Sequence, residues 1–121
     1  MQSPARFSAC VALALSLAGA PLLVQAAPAQ VAGLWCGAGL LHEFSLLIAQ
    51  REQSVTGRLV RKNKVREITG RVEGRELHTD AHRHHTMDLR VDGDALRITG
   101  ATRVLSLATG QFFTRAPRAA C

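Results

Sequence analysis

The sequence contains no tyrosine, one tryptophan and four phenylalanines. So sparse a set of rings offers no platform for stacking bases, and nucleic acid is not an expected partner despite the basic balance. Cysteine is equally scarce. There are three, none in a close pair of the kind zinc sites use. Ser45, Ser54 and Ser106 sit in no nucleophile elbow. His42 and Glu43 are adjacent, so on a strand they would face opposite ways. With no nucleophile beside a base and no carboxylate pair, catalysis is not expected. There is also no long uninterrupted apolar run. The stretch from Val11 to Val24 is broken by Gly19 and Pro21 and falls short of the roughly 20 residues a spanning helix needs.

That stretch instead has the form of a secretory signal peptide. Arg6 supplies the positive n-region, the apolar segment follows, and "VQA" offers small side chains for cleavage after Ala26. Residues 1–26 are therefore read as a signal peptide forming a helix, and 27–121 as a single domain. The mature protein is expected in the periplasm or secreted, and not transmembrane after processing. Cys10 precedes the apolar segment and would leave with the signal. Cys36 and Cys121 remain, near the two ends of the domain. Export permits a disulfide between them, and the even count favours it.

The formal net charge is +6, and thirteen of the fifteen basic residues are arginine. In an exported protein this charge suits an anionic envelope surface or an acidic protein partner.

Along 27–121 short alternating runs recur. Phe44, Leu46 and Ile48 share one face, as do Val55, Gly57 and Leu59, then Ile68, Gly70 and Val72, then Met87, Leu89 and Val91, then Leu96, Ile98 and Gly100. Period two is a strand signal. Tight hairpins are expected at Glu73-Gly74 and Asp92-Gly93, and a longer polar turn around Asn63. The pattern predicts an all-β fold: an antiparallel up-and-down meander of about eight strands in a small closed or nearly closed barrel. Gly57, Gly70 and Gly100, inside strands on the apolar face, are what barrel closure would require.

"VAGLW" precedes the first long strand and "GQFFTRA" ends the last. A Gly-x-Trp at the start with an arginine in the final strand resembles the calycin arrangement of lipocalins, avidins and a family of small bacterial metalloprotease inhibitors. The resemblance assigns Gly33, Trp35 and Arg115 to a frame in which the arginine packs over the indole at one end of the barrel, a sound cation–π pair. The chain from Val31 to about Ala116 also looks like the β-rich tail module of some exported bacterial methyltransferases, in its "VAG-x-W", "Q…VTG" and "GRVEG" rhythm. No methyltransferase domain is present, so that activity is not carried over. In the inhibitor family an N-terminal arm enters the protease cleft; here "APAQ" before Val31 would reach only about 13–14 Å.

An eight-stranded barrel is filled by side chains or holds one small ligand. The expected inward residues are Phe44, Leu46, Ile48, Leu59, Ile68, Val72, Leu89, Val91, Leu96, Ile98, Leu105 and Leu107. They form either a packed core or the lining of a small apolar ligand site, with no polar group to orient that ligand.

Two polar stretches remain. "LHTDAHRHHTMDL" holds four of the five histidines. With Leu77, Met87 and Leu89 inward, His78 and Asp88 face outward, His85 lies inward or at the mouth, and the turn falls near 80–83 with His82 at its tip. His78 and His84 would then face each other, with His82 or Asp80 completing a set of ligands for a divalent transition metal. The alternatives are a solvated hairpin or a pH-sensitive cluster. "GRLVRKNKVRE" gathers Arg58, Arg61, Lys62, Lys64 and Arg66 around one turn, either a solvated face or an electrostatic dock. The expected function is an exported, non-catalytic binding or accessory protein of the bacterial envelope, needing no cofactor. A periplasmic protease inhibitor and a metal-binding protein are the alternatives.

Overall fold

A computed structural model describes residues 27–81 and 85–121. The expected signal peptide, with Arg6 and Cys10, lies outside the described residues, as do His82 and His84.

Eight antiparallel strands follow one another around a closed barrel. They are β1 (Gly33–Gly37), β2 (Phe44–Arg51), β3 (Ser54–Arg61), β4 (Lys64–Glu73), β5 (Glu76–Thr79), β6 (Met87–Asp92), β7 (Ala95–Ala101) and β8 (Phe112–Arg115). Each pairs with the next, and β8 closes the circle on β1, setting Trp35 opposite Arg115 and Cys36 opposite Thr114. Short 3-10 turns, Gly39–Leu41 and Arg103–Ala108, join β1 to β2 and β7 to β8. Among the described residues no helix is long and apolar enough to cross a membrane.

The alternation in sequence becomes the wall of the barrel. Leu46, Ile48, Val55, Val72, Leu77, Met87, Leu89, Val91, Leu96 and Ile98 point inward and are buried. Phe44, Leu59 and Ile68 are half-buried and pack against them. Trp35 and Phe113 are the largest fully buried side chains. The interior is thus a packed core. Open hollows are found on β2, β3 and β4, lined by Leu47, Ala49, Thr56 and Arg58 among others.

Four features differ from the expectation. Leu105 and Leu107 are not inside: they lie on the 3-10 turn, where Leu107 is 79% exposed and Leu105 half-buried. The chain leaves strand geometry at Arg103, whose φ is 55°, and a 3-10 turn repeats every three residues, so alternate leucines no longer share a face. Second, the connection around Asn63 is not long. Arg61 pairs with Lys64, leaving only Lys62 and Asn63 to turn. Third, the other hairpins turn one residue later than expected, at Gly74-Arg75 in place of Glu73-Gly74 and at Gly93-Asp94 in place of Asp92-Gly93. In each, the glycine takes the first central position with φ near 60°, where primed turns demand it. Fourth, Gly100 is not on the apolar face. A bulge after Asp88 shifts the β6–β7 register, so Ile98 faces Leu89 while Gly100 faces Asp88.

Gly57 and Gly70 do sit where backbones come close. A Cβ on Gly70 would lie 2.3 Å from the carbonyl oxygen of His78, and one on Gly57 2.8 Å from that of Leu47.

Candidate functional site

An up-and-down barrel has two ends, and here they differ in chemistry. One carries the 27–32 segment and the turns at 52–53, 74–75 and 93–94. The other carries both 3-10 turns, the tip of the β3–β4 hairpin and the connection 80–86.

The first end is closed. The guanidinium carbon of Arg115 lies 4.3 Å from the centroid of the Trp35 ring. Its two terminal nitrogens donate to the carbonyls of Ala32 and Gln30, each at 3.1 Å, and its Nε faces Asp94 at 3.4 Å. Trp35 is fully buried, and its Nε1 donates to the Val31 carbonyl at 2.9 Å. Gly33 has φ +126°, and a Cβ there would meet the Arg115 guanidinium at 3.7 Å. Gln50 is the residue the alternation hid. It continues the inward parity of Leu46 and Ile48, and a polar side chain at an apolar position was the signal. Its Oε1 accepts from Val31 N–H at 2.6 Å, and its Nε2 donates to the carbonyls of Ala29 and Glu52. Ala29 N–H donates to the Gly74 carbonyl. The segment before β1 is therefore stitched across this end.

On the outer wall Cys36 and Cys121 form a disulfide, Sγ–Sγ 2.06 Å, joining residues 85 apart in sequence. It ties the tail after β8 to β1.

The opposite end gathers the polar stretches. The register divides the basic run. Arg58 faces outward and meets Glu67 at 3.9 Å. Arg61, Lys64 and Arg66 share the inward parity of Leu59 and Ile68. Yet every residue from Arg61 to Glu67 is exposed, and β5 pairs with β4 only from Gly70 onward. The hairpin therefore overhangs the rim with cations on its inner side and Val65 on its outer side. Arg61 stacks on Phe44, 5.4 Å from the centroid, and pairs with Glu43 at 3.2 Å. Lys62 approaches the same carboxylate at 3.8 Å. The Arg61 hydrogen bond, followed by the Lys62 charge, holds the Glu43 carboxyl below its ordinary range. Lys64 and Arg66 have no ion-pair partner among the described residues.

The histidine stretch is a wider loop than a tight hairpin. β5 ends at Thr79 and β6 begins at Met87, because Leu77 and Leu89 pair and bury each other. Opposite His78 stands Asp88, not His84. The His78 Nδ1 lies 2.9 Å from Asp88 Oδ1, and that hydrogen bond raises the His78 pKa above its ordinary value. Asp80 Oδ2 accepts from the Thr69 hydroxyl at 2.7 Å. Among the described residues no three His, Cys, Asp or Glu side chains converge on a common point. His85 is half-buried at the mouth, and its buried Nδ1 has no hydrogen-bond partner among the described residues.

Two leucines stand out here, Leu40, which the alternation did not mark, and Leu107, which it placed inside. Leu40 is 75% exposed, while Leu41 beside it is buried and plugs the barrel. The adjacent pair after Gly39 was the available signal, since only one of two neighbouring side chains on so short a turn can turn inward. Leu107, on the other 3-10 turn, is the second.

Comparison of the chain with protein-family models, with curated proteins and with solved structures finds no match.

Proposed function

We propose that this is an exported, calycin-like binding protein of the bacterial envelope, acting without catalysis and engaging its partner through the loop end of the barrel. The observation that carries this reading is the division of labour between the two ends. One is closed by hydrogen bonds and a buried tryptophan; the other collects the overhanging cations, the histidine loop and the two exposed leucines. A packed interior supports binding at the surface in preference to enclosure of a ligand. The disulfide suits the periplasm or the exterior.

The inhibitor reading is the weaker one. An arm that inserts into a protease cleft must have a free backbone. Here the main chain of Ala29, Gln30, Val31 and Ala32 is engaged by Gly74, Gln50 and Arg115, and cleavage after Ala26 would leave only Ala27 and Pro28 before it.

A photo-crosslinking residue placed at Asn63, on the loop end, or at Gln53, on the closed end, tests the proposal in the producing cells. Adducts from Asn63 and none from Gln53 are expected, on protein that begins at Ala27 and carries the oxidised cysteine pair. Adducts from Gln53 instead, or a reduced protein retained in the cytoplasm, would overturn it.

A further inference from the structure

Four large apolar side chains stand exposed among the described residues, and three of them, Leu40, Val65 and Leu107, belong to the loop end at 75%, 59% and 79% exposure. A single exposed leucine is ordinary. Here three gather on one end beside cations, two on its 3-10 turns and one on the overhanging part of β4. Leu40 tops the β1–β2 turn, Leu107 the β7–β8 turn, and Val65 the outer side of the overhanging hairpin. Lys64 and Arg66 flank Val65 along β4, and exposed Arg103 opens the turn that carries Leu107. Against these and Arg61 and Lys62, the described acids of this end are Glu43, Glu67, Asp80 and Asp88; Glu43 is engaged by Arg61 and Lys62, Glu67 faces Arg58, Asp80 accepts from Thr69, and Asp88 holds His78.

We infer that the loop end docks on an anionic phospholipid surface, with Leu40, Leu107 and Val65 entering the headgroup boundary and Lys64, Arg66 and Arg103 meeting lipid phosphates. This rests on the reading that the loop end is the binding end and names its partner. Apolar tips beside basic side chains have the chemistry of interfacial attachment, in which buried apolar area and attraction to anionic lipid add. The apolar residues are separate protrusions, two on different turns and one on a hairpin strand. A lipid surface accepts protrusions one by one, whereas a protein partner would need a pocket shaped for each. The closed end lacks the combination: no exposed large apolar side chain is found there among the described residues.

The test is sedimentation of the purified, disulfide-intact protein with phosphatidylcholine vesicles, with and without phosphatidylglycerol. Binding is expected only with the anionic lipid, weakening as salt is added. The Lys64→Gln, Arg66→Gln double variant should bind about 25-fold more weakly, about fivefold for each cation lost near the surface. Leu40→Ser with Leu107→Ser should bind at least about tenfold more weakly with charge unchanged. Arg51→Gln with Arg71→Gln, which removes the same charge elsewhere, should bind within about threefold of the parent. All six substitutions are at exposed positions, and an unchanged melting temperature checks the fold. No binding to anionic vesicles, equal loss in the Arg51/Arg71 variant, or full binding by the leucine variant would overturn the inference. Binding to soluble polyglutamate, but not to vesicles, that is lost in the Lys64/Arg66 variant would do so too. That last result would leave the loop end as the binding end and make its partner an acidic protein.

Discussion

Arg115 and Trp35 are cross-strand neighbours in the pair that closes the barrel, and the guanidinium of one lies over the indole of the other. The arginine thus does three things at once: it covers the ring, it holds the Gln30 and Ala32 carbonyls, and it faces Asp94. Arg115→Ala is expected to cost about 2–4 kcal/mol in urea unfolding, from the ring contact and the charged hydrogen bonds together. Arg115→Lys should recover less than half of this. A lysine keeps the charge but cannot reach two carbonyls with one planar fork.

Reduction of the Cys36–Cys121 bridge should have a larger effect. The loop it closes spans 85 residues, for which chain entropy gives about 4–5 kcal/mol. For a domain of this size the melting temperature should fall by about 20 °C. Calorimetry with and without reductant measures it, and the Cys36→Ser, Cys121→Ser double variant should match the reduced protein.

The His78–Asp88 hydrogen bond predicts a pH dependence of definite sign. Its effect is to raise the His78 pKa in the folded protein above the ordinary 6.5. The folded state therefore holds this proton more tightly than the unfolded chain. The stabilisation is complete below about pH 6.5 and is lost as pH rises through the raised value. Both side chains are about half exposed, so the contribution is modest. An NMR titration of the His78 ring should show a midpoint above the ordinary value, and Asp88→Asn should lower it.

Gly70 and Gly100 should respond in opposite ways to alanine. At Gly70 the new methyl group would meet the His78 carbonyl at 2.3 Å, and backbone oxygen cannot move aside without opening the β4–β5 pair. Gly70→Ala is expected to destabilise by about 2–3 kcal/mol. At Gly100 the nearest atom is the Asp88 carboxylate at 3.7 Å, an ordinary contact. Gly100→Ala should stay within about 0.5 kcal/mol of the parent or slightly stabilise it. Urea unfolding of both variants checks the contrast.

That contrast also marks what was legible in the sequence. Period-two alternation located five of the eight strands, β2, β3, β4, β6 and β7, and most of the core, because each strand buries one face only. The glycines it placed on the apolar face, Gly57, Gly70 and Gly100, led to a closed or nearly closed barrel, and the first two do sit where strands approach closely. What alternation cannot carry is register. The bulge after Asp88 moved Gly100 to the outer face, and the Leu77–Leu89 pair put Asp88 where His84 was expected. "VLSLA" alternates as well as any strand does, yet the positive φ at Arg103 turns it into a 3-10 segment. The pairing of Cys36 with Cys121 followed from their number and the expected compartment. The grouping of the basic turn with Leu40 and Leu107 on one end depends on the order of eight strands in space, which no local pattern contains.

The β1–β8 pair has a further consequence for assembly. Its strands are the first and last of the barrel, so this contact has the longest sequence separation in the sheet and the greatest loop-closure cost. All the other strand pairs are between sequence neighbours and can form as a ladder growing from either side. Until β8 arrives, that ladder is an open sheet with two free edges, each able to recruit another chain. The time between emergence of β1 and docking of β8 is therefore the interval in which aggregation competes with folding. The thiol of Cys36 waits on one of those edges, and its oxidation with Cys121 after docking would make closure hard to reverse.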